Sequence, residues 1–136
     1  MIGGMSVFKM GVPSVATPTE QLQAMRNLAE NWDGYGAAAP SATAIDLAQE
    51  WVALVETMFQ KTASNPGTLH VGPTRTGGVL IEWEDRARQH EVEIHPDRSI
   101  AFLHLDKATG QIETRQFSAG PLHPGLLQEL RHLLAA

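Results

Sequence analysis

Acidic and histidine side chains alternate with other residues in two short segments of this 136-residue chain. Glu82 and Glu84 lie in the first segment, and Glu91, Glu93 and His95 lie in the second. Because residues two apart point to the same face of a β-strand, pairing of the two segments would place these side chains on one sheet surface. Such a surface could face solvent, bind a basic protein partner or hold a metal ion, since carboxylates and imidazoles are suitable ligands for hard and borderline cations.

Enzymatic chemistry has limited support in the sequence. The carboxylates and the histidine support one catalytic hypothesis, a metal-assisted small hydrolase that would use Glu82, Glu91, Glu93 and His95. The chain has no cysteine, no Gly-x-Ser-x-Gly element and no glycine-rich phosphate loop after a strand, so it lacks thiol, serine-triad and nucleotide-binding signatures. We therefore predict no cofactor and no resident metal, and the sequence favours a non-enzymatic role over an enzymatic one.

Two further histidines, His90 and His104, depend on how their strands pair. If Ile94 lies opposite Ile100, the same register puts His90 opposite His104 near the edge of the core. A shift by one residue would separate them and would turn the face that carries Leu103 toward the core. The sequence leaves both registers open, so the two histidines could be structural, could bind a metal or could respond to pH.

The densest cluster of aromatic, acidic and glycine residues is the segment 30–37, Glu-Asn-Trp-Asp-Gly-Tyr-Gly-Ala. Trp32 and Tyr35 are large side chains at a predicted helix end, and Glu30 and Asp33 can accept hydrogen bonds from backbone N–H groups of a turn. The segment can therefore close the core, or it can present Trp32, Asp33 and Tyr35 as a binding hot spot for a protein partner.

The same segment carries a family resemblance. Asn31 to Ala37, the Pro40-Ser41 pair that follows, and Gly77-Gly78 through Glu82-Trp83 are the matching residues. They resemble a family of small uncharacterised bacterial proteins with an Asn-Trp-Asp-Gly-Tyr-Gly-Ala element and a later Gly-Gly-x-x-x-Glu-Trp strand. The resemblance implies an α+β fold and assigns no catalytic residue.

Hydrophobic periodicity predicts the elements that would position these residues. Thr17 starts a helix whose apolar stripe continues to Trp32, and a second helix begins at Ser41 or Thr43 and runs to about Lys61. From residue 69 onward an alternating pattern predicts strands, the clearest over 79–84, 90–95, 100–105 and 111–117, and a short amphipathic helix closes the chain over 124–134. We therefore predict an α+β fold with two N-terminal helices, an antiparallel meander sheet of three or four strands, and a C-terminal helix packed on the sheet.

Composition favours one globular domain with its own core. The chain has 15 Asp and Glu against 10 Lys and Arg, and a nucleic-acid-binding surface would need clustered cations. No apolar run is long enough to span a bilayer and the N-terminus lacks the pattern of a secretory signal, so we expect a soluble cytoplasmic protein without a membrane segment. We expect residues 1–16 to be a flexible or partner-docking segment and residues 17–136 to form a single α+β domain.

The strand predicted over 100–105 is apolar on both faces, so the face that carries Leu103 meets either the core or another molecule. A homodimer is the simplest way to cover such a surface. These features together predict a small protein-interaction module of the inhibitor, immunity or antitoxin-like kind. Its candidate binding residues are Trp32, Asp33, Tyr35, Glu82, Glu91, Glu93, His95 and Leu103.

Overall fold

The computed structural model describes residues 16–61, 69–84, 87–118 and 128. Within these ranges two helices precede five strands: α1 (Pro18–Met25), α2 (Ala42–Lys61), β1 (His70–Pro73), β2 (Val79–Glu84), β3 (Arg88–Ile94), β4 (Ile100–Asp106) and β5 (Ile112–Phe117). The expectations for residues 1–15, and for the helix over 124–134 apart from Gln128, lie outside the described residues. Neither described helix is long and apolar enough to cross a membrane.

Helix α1 begins as predicted and ends earlier. The Thr17 hydroxyl accepts a hydrogen bond from Glu20 N (3.1 Å), and the Glu20 carboxylate accepts one from Thr17 N (2.8 Å), which completes the predicted capping box. The predicted continuation to Trp32 is wrong, because the N–H groups of residues 26–28 bond to carbonyls three residues back and tighten the last turn. Asn31 then has a φ of 64°, which lies outside the right-handed helical region.

Helix α2 confirms the predicted second helix. Ser41 Oγ accepts a hydrogen bond from Ala44 N (3.3 Å), as expected of an N-cap hydroxyl. Its apolar stripe faces the sheet, where the Trp51 ring meets the Phe102 ring edge-on at a centroid separation of 5.5 Å. Because burial of each such large apolar side chain contributes about 1.5–3 kcal/mol, this stripe fixes α2 on the sheet.

The five strands form one antiparallel sheet in chain order, so the predicted meander is present. The fold prediction is nevertheless wrong in two respects. The sheet has five strands instead of three or four, because the short strand β1 pairs with β2. Both described helices precede the sheet, as predicted, but the elements of the described residues include no C-terminal helix, and only Gln128 of the predicted range 124–134 is described. β1 spans only four residues and ends at Pro73, so its alternation is too short to mark a separate strand.

The sheet has two different faces. The inner face packs against both helices and contributes these buried residues: Val79, Ile81, Trp83, His90, Val92, Ile94, Ile100, Phe102 and His104. The alternate positions form the opposite face, which we call the outer face: His70, Gly72, Leu80, Glu82, Glu84, Gln89, Glu91, Glu93, Ala101, Leu103, Leu105, Ile112, Thr114 and Gln116. The core therefore lies between the inner face and the helices, and the outer face belongs to a separate surface.

Candidate functional site

The acidic residues predicted from the sequence lie together on the outer face. Glu82 on β2 is directly opposite Glu91 on β3, and Glu93 is opposite Leu80. Directly opposed residues of an antiparallel pair have Cβ atoms about 4.5–5.5 Å apart, so two like charges share a close cross-strand position. Among the described residues, neither Glu82 nor Glu91 takes part in an ion pair. Within that part of the chain, two mutually repelling carboxylates form the centre of this surface.

The surroundings of Glu91 oppose its ionisation. Partial burial raises the pKa of the Glu91 carboxyl, and the neighbouring charges of Glu82 and Glu93 raise it further. A folded-state pKa above the ordinary value means that ionised Glu91 costs stability at high pH. This cost is relieved as the pH falls through the folded-state pKa. A cation held near these carboxylates would reduce the same cost at neutral pH.

A histidine and a lysine lie at the ends of the acidic surface. His95 Nδ1 is 3.5 Å from Glu93 Oε2, and Lys107 Nζ is 2.9 Å from Glu84 Oε2. These contacts are partly exposed to solvent, and such ion pairs contribute at most about 1 kcal/mol. Within the described ranges, no three His, Asp or Glu residues are grouped so that they could hold a metal ion. The hydrolase that would use Glu82, Glu91, Glu93 and His95 stays a hypothesis.

An apolar area adjoins the acidic area on the outer face. Leu103 on β4 is directly opposite Glu91. The neighbouring outer-face pair joins Leu105 to Ile112, whose side chain is 60% exposed. Leu103 and Leu105 are only partly buried, since both described helices pack on the inner face. Sequence reasoning did not single out Ile112, although pairing across the turn before β5 was a signal that could have placed it beside Leu105.

Asp33 organises the turn over residues 31–37. Its Oδ1 accepts hydrogen bonds from Tyr35 N (2.8 Å) and Ala37 N (3.1 Å), and its Oδ2 accepts one from Arg75 Nε (2.9 Å). Desolvation by burial works against ionisation here, but the two backbone donors and the guanidinium outweigh it and lower the pKa of the Asp33 carboxyl. Arg75 was not found from the sequence, because 42 residues separate it from Asp33 and no local pattern connects them.

The backbone of this turn visits the left-handed region three times, at Asn31 (φ 64°), Gly34 (φ 77°) and Gly36 (φ 86°). Glycine and asparagine adopt this region at the lowest cost, which explains their presence in the segment. Trp32 is half-buried, and its Nε1 donates a hydrogen bond to the Ala38 carbonyl (2.9 Å). Tyr35 differs, because its side chain is 82% exposed. Of the three aromatic and acidic residues predicted as a hot spot, Tyr35 is thus the one largely presented to solvent.

The 31–37 turn is connected to the β1–β2 turn, residues 74–78. Ala38 N donates a hydrogen bond to the Arg75 carbonyl (2.9 Å) just after the first turn. On the other side, a Cβ atom at Gly78 would lie 2.3 Å from the Ile94 carbonyl oxygen, so the second turn approaches β3 too closely for any other residue without movement. The two segments on which the family resemblance rests are therefore neighbours in the fold.

The strand register also settles the position of the two central histidines. His90 lies opposite His104 and Ile94 lies opposite Ile100, so the first of the two predicted registers is confirmed. The Nδ1 atoms of the two rings are 3.0 Å apart, and both rings are buried on the inner face. Leu103 consequently belongs to the outer face, and the shifted register that would turn it toward the core is wrong.

Comparisons with known proteins identify no relative of this chain. No protein-family model matches it, and no curated protein or solved structure does so. The family resemblance noted in the sequence therefore stays a prediction. Two surfaces of the described residues are candidates for a function: the outer face of the sheet and the turn that presents Tyr35.

Proposed function

We propose that this protein is a small non-enzymatic interaction module that binds a protein partner through the outer face. The observation that carries the proposal is the placement of Glu82 opposite Glu91, with Leu103 directly beside them. Opposed like charges destabilise a sheet, and partly exposed aliphatic side chains gain by being covered. A partner that places Lys or Arg side chains over the carboxylates and an apolar side chain over Leu103 would relieve both costs.

The chemistry of this face agrees with a binder whose specificity comes from charge. Complementary charge across an interface guides association and excludes partners of the wrong sign, whereas well-packed apolar contacts supply most of the affinity. An inhibitor, an immunity protein or an antitoxin-like protein acting in the cytoplasm is the class that we propose. We expect the partner to carry basic side chains that contact the carboxylates of β2 and β3. We also expect it to carry an apolar side chain that contacts Leu103 on β4.

A homodimer is the self-association that we propose for the apolar part of the outer face. Leu105 and Ile112 are paired on β4 and β5, and neither lies directly opposite Glu82 or Glu91. A two-fold contact between copies would cover these side chains without opposing the carboxylates of the two copies. Sedimentation over a wide concentration range is expected to show a dimer for the native protein and a monomer for Leu105→Asp. A monomer at every concentration would contradict the dimer.

Partner binding is tested by capture from native cells with two matched charge reversals. Glu91→Lys changes the centre of the outer face, whereas Glu50→Lys makes the same charge change at an exposed position of α2. We expect the Glu50→Lys protein to retain the partner and the Glu91→Lys protein to retain at least ten-fold less. Capture by the native protein should also weaken as NaCl is raised, because salt screens exposed charges.

Two outcomes would contradict the proposal. Equal capture by the Glu91→Lys and Glu50→Lys proteins would show that the outer face is not the contact. Loss of the partner on Tyr35→Ala, with the outer face unchanged, would move the contact to the 31–37 turn. Mass spectrometry of the captured material identifies the partner, and its surface charge then provides an independent check on the expected basic contact.

A further inference from the structure

Two imidazole rings meet inside the protein, on the inner face of the sheet. His90 and His104 are 1% and 7% exposed, and their Nδ1 atoms lie 3.0 Å apart. The Trp83 ring stacks on His90 at a centroid separation of 5.3 Å, and the Phe102 ring lies nearly parallel to the His104 ring at 6.4 Å. An aromatic ring therefore packs against each histidine and restricts how far either ring can turn.

The Nδ1–Nδ1 distance limits the number of protons that this contact can hold. A hydrogen bond between two imidazole nitrogens needs one hydrogen, so one Nδ1 donates and the other accepts. Two neutral rings meet this condition, and so does a pair in which one ring is charged. If both rings are charged, both Nδ1 atoms carry a hydrogen, and two N–H groups point at each other at hydrogen-bonding distance.

We propose that the His90–His104 pair makes the sheet sensitive to acid, because the folded contact accepts no more than one extra proton. In an unfolded chain, both histidines take up a proton near pH 6.5. Below that pH the folded state binds at least one proton fewer than the unfolded state. The folding equilibrium constant therefore falls by about ten-fold per pH unit on account of this pair.

The charged groups near the two histidines do not change the limit of one extra proton on the folded pair. The β2 residue opposite His90 is Trp83, and the side chains that α2 buries against the sheet are apolar. Among the described residues, four charged ones share the inner face near the pair, two basic and two acidic: Arg88, Asp106, Glu113 and Arg115. Glu113 is directly opposite His104 and favours the first proton on that ring. None of the four changes the repulsion between two facing N–H groups once both rings are charged.

Acid therefore acts on the contact between β3 and β4. The chain neighbours of the two histidines, Glu91 and Leu103, are directly opposed on the outer face. Separation of the rings would disturb the same strand pair that carries these residues. An effect of acid on partner binding would rest in addition on the proposed function, whereas the effect on folding does not depend on any partner.

The first test measures urea unfolding between pH 5 and pH 8. The double variant His90→Asn with His104→Asn keeps groups that can form a hydrogen bond and removes both titrating rings. As the pH falls from about 6 to 5, we expect the native folding equilibrium constant to drop about ten-fold more than that of the double variant. The control variant His70→Asn changes an exposed histidine, and the difference between the native pair and the double variant should be the same in that background. An unchanged pH dependence in the double variant would overturn the proposal.

The second test needs no variant and decides the question if the double variant does not fold. Nitrogen chemical shifts of the histidine rings report the protonation of each Nδ1 and Nε2 in the native protein. We expect His90 and His104 together to gain at most one proton as long as the sheet is folded. Full protonation of both central rings with the β3–β4 pairing intact would overturn the proposal.

Discussion

The carboxylate of the 31–37 turn and those at the centre of the outer face have opposite surroundings. Asp33 accepts hydrogen bonds from two backbone N–H groups and from Arg75, whereas Glu91 faces Glu82 across a strand pair. The pKa of Asp33 is accordingly lowered and that of Glu91 is raised. An acidic residue surrounded by its own donors stabilises the fold, and one that faces another acidic residue is better satisfied by an external cation. This contrast separates an acidic residue with a structural role from the one that we propose to bind a partner.

The largest expected effect comes from separating the turn region from the sheet. Gly78→Ala places a Cβ atom 2.3 Å from the Ile94 carbonyl oxygen, so the β1–β2 turn must move and its contact with the 31–37 turn weakens. Overpacking of this kind costs about 1–3 kcal/mol, and we expect the upper end because the obstacle is backbone. Urea denaturation measures the loss. Gly72→Ala is the control, since its Cβ would meet nothing within 4 Å; equal stability of the two variants would contradict the close approach.

A smaller loss is expected when the structural carboxylate loses its charge. Asp33→Asn weakens the hydrogen bonds to the turn and the pairing with Arg75, so the melting temperature should fall by a few degrees at neutral pH. Because the folded-state pKa of Asp33 is lowered, its stabilisation is present above the ordinary Asp pKa and is lost as the pH falls through the folded-state pKa. The melting temperatures of the native and variant proteins should therefore converge in acid, as followed by circular dichroism.

The control for this prediction is Asp46→Asn. Asp46 forms an exposed ion pair with Arg26, and exposed pairs of this kind contribute little. The control should leave the melting temperature nearly unchanged at every pH. A loss as large as that of Asp33→Asn would mean that the backbone donors of the 31–37 turn are not what distinguishes Asp33.

The outer face should respond in the opposite direction. Glu91→Gln removes one of two directly opposed charges, so we expect a gain of about 0.5 kcal/mol at neutral pH, within the range of cross-strand pairs and reduced by solvent screening. The gain should shrink as the pH falls through the raised folded-state pKa, and it should also shrink in high salt. Urea denaturation measures the gain. The control is Glu50→Gln, which removes the same charge at an exposed position of α2 and should not show this gain. A destabilised Glu91→Gln protein would show that Glu91 has a structural role like that of Asp33.

The smallest effect on stability is expected at Tyr35. Its side chain is 82% exposed, so Tyr35→Ala should change the free energy of unfolding by less than about 0.5 kcal/mol. The Asp33 hydrogen bond to Tyr35 involves the backbone N–H and is kept in the variant. Denaturation curves of the native protein and Tyr35→Ala should overlap. A clear loss of unfolding free energy would show that the tyrosine ring makes contacts that stabilise the fold.

Local patterns predicted the elements that have strong signals. The capping box at Thr17, the long apolar stripe of α2 and the alternation in β2, β3 and β4 are properties of neighbouring residues, and each element formed close to its expected position. The end of α1 was missed because the apolar spacing continued to Trp32, whereas the backbone turned at Asn31. β1 was missed because four residues carry too little pattern.

The site was only partly predictable for the same reason. Alternation correctly grouped Glu82 with Glu91 and Glu93 on one surface, since strand pairing followed from a short turn. The role of Asp33 depends on Arg75, which is distant in the chain. The face on which Leu103 lies depends on the register between β3 and β4, and the sequence was compatible with two registers. Local sequence patterns therefore identified the chemical groups, and the tertiary contacts decided which of them are available.

The order of the strands has a consequence for how the chain assembles. Every strand pairs with its neighbour in sequence, so each hairpin closes a short loop at a low entropic cost. The helices reach the sheet through much longer connections, such as the hydrogen bond that Val71 N donates to Gln21 Oε1 across 50 residues. Contacts between near neighbours form faster than distant ones. We therefore expect the meander to form first and α1 and α2 to dock afterwards, so that the inner face is the last surface to lose water.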